Sequence, residues 1–170
     1  MKTLIIYASK KGATKKCAEQ IGQSIKGEVK LIECKNALNE PIGRYDNIVI
    51  GSAVYAGTLD KELKKFCSMN QECLSSKRTF LFLGCMNDKL LDDYVKNNIS
   101  EKVARHLQDV IWCGGAFYFS KMNFFEKFII KKIVNSERKA SGESEKIDGK
   151  TDIEMFKEEN IKRLIQKINH

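Results

Sequence analysis

No apolar run in these 170 residues approaches the ~20 needed to span a bilayer. The short apolar opening, "TLIIYA", is followed by Ser9-Lys10-Lys11, with no cleavage-like site of small residues after it. Both absences predict a cytoplasmic protein. Clustered metal ligands are missing too. The six cysteines (Cys17, Cys34, Cys67, Cys73, Cys85, Cys113) stand singly with no CxxC pair, and histidine is limited to His106 and His170. A structural zinc site is not expected, and the thiols read as reduced core or surface residues. Neither GxGxxG nor GxxxxGK[ST] occurs, nor any recognised nucleic-acid motif. There is no internal repeat and no domain-sized break in composition, so a single domain over residues 1–170 is expected.

What is present suits a soluble globular chain: 42% apolar and 31% charged residues, with a net charge of +8 and a pI near 9.1. Strand-like and helix-like periods alternate along it. Strands are expected at residues 2–8, 28–33, 46–51, 78–84 and 109–116. Helices are expected at residues 15–26, 58–70, 88–106, 122–134 and 152–168, with a loop over 135–150. Gly27 suits the end of the first helix. Such alternation predicts a parallel sheet covered by helices on both faces, and five strands with five helices fit the flavodoxin-like form of the doubly wound α/β fold.

In such sheets ligands sit beyond the carboxyl ends of the strands. The first strand runs into Ser9, Lys10, Lys11, Gly12, Ala13 and Thr14. The third is followed by Ser52, Ala53, Val54, Tyr55, Ala56 and Gly57, and the fourth by Gly84, Cys85, Met86 and Asn87. Gly12 lets amides approach a ligand, Ser9 and Thr14 carry hydroxyls, and the following helix adds unpaired N–H groups at its positive end. That chemistry suits a phosphate, although an ordinary βα turn with a helix cap has the same residues. Tyr55 and Gly57 add a flat partner and an open path beside it. Together the three loops describe a phosphate pocket beside a flat slot, the shape of a mononucleotide such as FMN.

"YASKKGAT" resembles the S/T-x-x-G-x-T phosphate loop of flavodoxins, and "VIGSAVYAG" resembles their second flavin loop. The later "CGGAFYFSKMNFFEKFIIKKIV", then "ASGE" and an amphipathic C-terminal helix, is similar to the flavodoxin-like, menaquinone-dependent protoporphyrinogen oxidases. The resemblance implies FMN as cofactor, protoporphyrinogen IX as substrate and a quinone as electron acceptor. It places the phosphate on Ser9 to Thr14 and the isoalloxazine on Ser52 to Gly57 and Gly84 to Asn87. No residue is assigned as acid or base, because the flavin carries the redox chemistry. There are two departures: the third loop lacks the aromatic residue that electron-carrier flavodoxins often place there, and residues 87–107, the segment expected to border the substrate, are shorter and more acidic at their start than in those oxidases. Gly114 to Tyr118 is a candidate floor for substrate, or simply the end of the fifth strand.

Residues 121–140 hold six basic residues (Lys121, Lys127, Lys131, Lys132, Arg138, Lys139) and two acidic ones (Glu126, Glu137). Phe124, Phe125, Phe128, Ile129, Ile133 and Val134 supply more apolar surface than one buried stripe needs. Weak association with the inner membrane surface is one expectation; a helix packed on the sheet with solvated lysines is the other. A charge of +8 disfavours docking on the basic partners of acidic electron carriers. An FMN electron carrier without a small-molecule substrate remains an alternative. So does an interaction domain without flavin, and a nucleic-acid partner is not expected.

Overall fold

The strands follow from their burial. In a computed structural model that describes residues 1–85, 88–140, 142 and 146–170, Leu4 to Ala8 and Asn47 to Ser52 are buried without a break, as strands covered on both faces must be. The chain runs β1 (Lys2–Ala8), α1 (Ala13–Ser24), β2 (Glu28–Glu33), β3 (Asn47–Ala53), α2 (Lys61–Met69), α3 (Gln71–Ser76) and β4 (Arg78–Gly84). It continues with α4 (Leu91–Asn98), α5 (Glu101–Ala104), β5 (Leu107–Phe117), α6 (Phe124–Ala140), β6 (Ile153–Phe156) and α7 (Glu158–Asn169). The sheet order is β2-β1-β3-β4-β5-β6, with parallel pairing at every junction from β2 to β5. The chain is therefore a doubly wound α/β protein whose strand order reverses between β1 and β3.

Alternate strand residues feed two cores, one on each face of the sheet. Leu4, Ile6, Ile48, Ile50, Leu81 and Leu83 meet Leu63 and Phe66 of α2, Leu74 of α3, Val95 of α4 and Val103 of α5. Ile5, Val49, Phe80, Phe82 and Ile111 meet Cys17, Ala18 and Ile21 of α1 and Ile161, Leu164 and Ile168 of α7. Gly51 is fixed by this packing: a Cβ there would stand 1.9 Å from Cζ of the buried Phe82.

The chain forms two compact units, residues 1–115 with 156–170, and residues 116–155. In the second, Phe119, Val134 and Ile147 are buried, and the rings of Phe117 and Phe119 lie 6.3 Å apart. Ser120 donates from its amide and hydroxyl to Asp152, at 2.8 and 2.7 Å. The Ile147 amide donates to Asn135 at 2.8 Å.

Several boundaries differ from the sequence reading. A sixth strand, β6, occupies the start of what periodicity gives as one helix over 152–168; Lys157, at φ −96° and ψ 80°, separates it from α7. The expected loop at 135–150 is helical through Ala140, because nothing between Val134 and Ala140 is a helix breaker. The expected helix at 58–70 ends at Met69, and Asn70 then starts α3, its side chain donating to the Phe66 carbonyl at 2.9 Å. The expected helix at 88–106 breaks at Ile99, which is extended, and restarts after Ser100, whose hydroxyl caps Val103.

Candidate functional site

The reversal of strand order puts β1 and β3 side by side, and their ends are level, with Ala8 opposite Ser52 and Ala53 opposite Gly84 of β4. The three loops named from the sequence therefore start from one edge of the sheet. Two contacts tie them together: the Val54 amide donates to the Gly84 carbonyl at 2.8 Å, and the Lys10 ammonium lies 5.1 Å from the centre of the Tyr55 ring. Of the third loop, Gly84 and Cys85 are both half-buried; Met86 and Asn87 lie outside the described residues.

The first loop has the form of an anion cradle. Gly12 is the N-cap of α1 at φ 105°, a left-handed conformation that favours glycine, and has no side chain with which to cap the helix. Ser9 Oγ accepts from the amides of Gly12 (3.1 Å) and Lys15 (3.3 Å), which holds the loop closed. The Ala13 and Thr14 amides, in the first turn, have no acceptor among the described residues. Lys10 is exposed, Lys11 half-buried and Thr14 buried. Two free amides at a helix start, with lysines beside them, fit a phosphate dianion.

The second loop is a tight turn. Tyr55 and Thr58 exchange backbone hydrogen bonds at 2.9 and 3.0 Å, with Ala56 at φ 48° and Gly57 at φ 77° between them. Two successive left-handed residues define a type I′ turn, and alanine in this region is strained by roughly 1–2 kcal/mol. Tyr55 is 42% exposed, and a Cβ on Gly57 would meet nothing within 4 Å. The turn is thus a small-residue crest with one exposed ring, open enough to lie against a planar ligand. Ser52 anchors its base, donating to the Ala53 carbonyl at 2.8 Å and accepting from the Asp60 amide at 3.2 Å.

Two supporting residues escape sequence reasoning. Asn98, at the end of α4, clamps the far side of the second loop. It donates to the Gly57 carbonyl at 3.0 Å and accepts from the Thr58 hydroxyl and the Leu59 amide, both at 3.1 Å. Trp112 on β5 donates its indole N–H to the Cys85 carbonyl at 2.7 Å, fixing the start of the third loop. The second of two adjacent asparagines in "KNNIS" carries no signal of this role. The sequence marks Trp112 only as part of a strand end.

Beside the first loop lies a cleft of about 180 Å³ walled by Lys10, Glu33, Cys34, Lys35, Asp60 and Glu62. Its three carboxylates outnumber its two lysines, and one lysine, Lys35, is paired with Glu33 at 2.8 Å, so this cleft does not favour phosphate. Burial, reinforced by Asp60, Glu62 and Glu33, pushes the Cys34 thiol up to about 12, so it stays protonated near neutrality. No group of three or more His, Cys, Asp or Glu residues capable of holding a metal occurs among the described residues.

Fold and strand-end loops together define a mononucleotide-binding type of doubly wound protein. The family model for the Flavodoxin domain matches residues 4–144, and the chain belongs to that family. Among solved structures, it resembles a flavoprotein in complex with FMN from Lactobacillus acidophilus NCFM at 25% identity and a TM-score of 0.50, over 65% of this chain and 90% of that one. It shares its fold with two-electron reduced Megasphaera elsdenii flavodoxin at 18% identity and a TM-score of 0.53, over 65% of this chain and 82% of that one. Rubredoxin oxygen:oxidoreductase from Desulfovibrio gigas is similar at 15% identity and a TM-score of 0.49 over 66% of this chain, which spans only 30% of that protein's length. Among curated proteins, none matches.

Proposed function

We propose that this flavodoxin-domain protein holds FMN at the ends of β1, β3 and β4 and uses it to transfer electrons. The observation that carries the reading is the first turn of α1, where Gly12 has no side chain to cap the helix and the Ala13 and Thr14 amides have no acceptor among the described residues. Ser9 to Thr14 would hold the phosphate, and Ser52 to Gly57 with Gly84, Cys85, Met86 and Asn87 would border the ring. Bound there, FMN supplies the redox chemistry, while the chain orients it and sets its surroundings. Membership of the family and the likeness to an FMN-bound flavoprotein support the same cofactor.

The test is a visible absorption spectrum of the purified protein, repeated after incubation with FMN and removal of the excess. A retained flavin spectrum is expected. A folded protein that keeps no flavin would overturn the reading.

The second reading is oxidation of protoporphyrinogen IX with a quinone as acceptor. Its support is the resemblance of residues 113–134 and the charge of +8, which differs from that of acidic carriers. Turnover of protoporphyrinogen with a menaquinone analogue by the FMN-loaded protein would establish it. Reduction and reoxidation by partner proteins with no such turnover would leave electron transfer alone.

A further inference from the structure

Five of the exposed large apolar side chains among the described residues lie on one helix. On α6, Phe124 is 87% exposed, Phe125 70%, Phe128 59%, Ile129 39% and Ile133 42%. An isolated exposed apolar residue is ordinary, whereas a contiguous set marks an interaction surface. These residues are not the core stripe of the helix, because that role belongs to Val134, 5% exposed on the opposite side. At 100° per residue, Phe124, Phe125, Phe128, Ile129 and Ile133 share one half of the helix circumference, and Val134 falls in the other.

The charges on α6 are arranged with equal bias. Its C-terminal half borders a recess of about 540 Å³ lined by Lys131, Lys132, Lys139 and Lys146, with Phe128 at its edge and no carboxylate in its wall among the described residues. Lys131 is held there by its hydrogen bond to the Asp148 carbonyl at 3.1 Å. Glu126, at the other end, is engaged in capping: its carboxylate accepts from the Asn123 amide, and its own amide donates to the Asn123 side chain, both at 2.9 Å. One face of the helix is thus aromatic and aliphatic in its first two turns and cationic farther along.

The geometry points to the surface of an anionic phospholipid bilayer as the occupant of this face. α6 would lie in the interface, its phenylalanines entering the acyl boundary and its lysines meeting headgroup phosphates. Charge complementarity selects the partner. A second copy of the chain would bring these lysines against their own equivalents. Unpaired nucleic-acid bases would find no stacking plane on Ile129 or Ile133. Phe124, 87% exposed, is open to enter the acyl boundary of a bilayer. No described helix is long and apolar enough to cross a membrane, so the contact is peripheral. It needs no flavin, and it stands or falls apart from the cofactor reading.

The experiment is flotation of the full chain with vesicles of phosphatidylcholine alone and of phosphatidylcholine mixed with phosphatidylglycerol, at low and high salt. Binding to the phosphatidylglycerol vesicles is expected to be at least about tenfold stronger and to weaken with salt. Two variants sharpen it: Phe124→Ser with Phe125→Ser, and Lys132→Glu with Lys139→Glu. Each should lower vesicle binding about tenfold or more while leaving the far-ultraviolet circular dichroism and melting temperature unchanged. The proposal is overturned if the protein ignores phosphatidylglycerol vesicles, binds neutral ones equally, or binds undiminished in both variants. It is also overturned if, without vesicles, the chain dimerises or binds an oligonucleotide through a face that either variant abolishes.

Discussion

Helices α6 and α7 are built from similar materials, isoleucines and phenylalanines or leucine mixed with lysines, and put them to different uses. In α7, Ile161, Leu164 and Ile168 are fully buried on one stripe, and Lys162 and Lys167 lie off it in solvent. In α6, apolar residues fall at 124, 125, 128, 129, 130, 133 and 134, a spread no single stripe can bury. The spacing of apolar residues, more than their number, decides whether a helix closes a core or presents a surface.

The largest predicted effect breaks that contrast directly. Leu164→Ala should cost about 2–5 kcal/mol, because it empties a site sealed between α7 and the sheet. Phe124→Ala removes a larger side chain yet should change stability by less than about 0.5 kcal/mol, since 87% of it is already in water. Urea unfolding of both variants measures the difference; equal losses would mean that α6 is buried in solution.

The strand-end loops stand between these extremes, ordered by backbone geometry rather than by apolar burial. Gly12 at φ 105° holds the amides of the first turn in place, whereas Gly43 has no positive φ and open space around it. Gly12→Ala should therefore weaken FMN binding by roughly tenfold, the effect of about 1.4 kcal/mol of left-handed strain and displaced amides. Gly43→Ala should leave binding unchanged. Quenching of flavin fluorescence on titration reads both, and equal affinity for wild type and Gly12→Ala would remove this loop from the phosphate site.

Much of this arrangement is legible in the sequence, for physical reasons that also mark where legibility ends. Five strands are visible because continuous β-prone runs such as "TLIIYA" and "FLFL" have no helical period, and parallel order follows from alternation with helices. The three loops are legible because strand ends next to small residues are where such sheets bind ligands. β6 is hidden because Ile153 and Phe156, three apart, read as helical, and no glycine or proline marks the break at Lys157. The break at Asn70 and the Asn98 clamp are hidden for a related reason. Both depend on one amide side chain reaching carbonyls or amides that only the folded chain brings near, Phe66 in the first case and Gly57 to Leu59 in the second.

The smallest predicted effect tests how the second unit is held. Where α7 relies on buried aliphatics, the turn at residues 148–151 relies on one carboxylate. Asp148 accepts from the Lys150 amide at 2.7 Å and the Thr151 amide at 2.9 Å, and its second oxygen accepts from the Thr151 hydroxyl at 2.7 Å. These bonds favour the ionised form and lower its pKa from an ordinary 3.8 to about 2. A depressed carboxylate adds stability that is complete above the unfolded value of 3.8 and disappears as the pH falls through about 2. The Lys150 and Thr151 amide resonances should accordingly titrate with a midpoint near 2 in nuclear magnetic resonance spectra. In Asp148→Asn the same resonances should stay flat across that range, with the α7 resonances untouched in both proteins. A midpoint at the ordinary aspartate value would show that the turn is open in solution, and that the contrast between a helix sealed by apolar packing and a turn pinned by surface hydrogen bonds is not the one the structure implies.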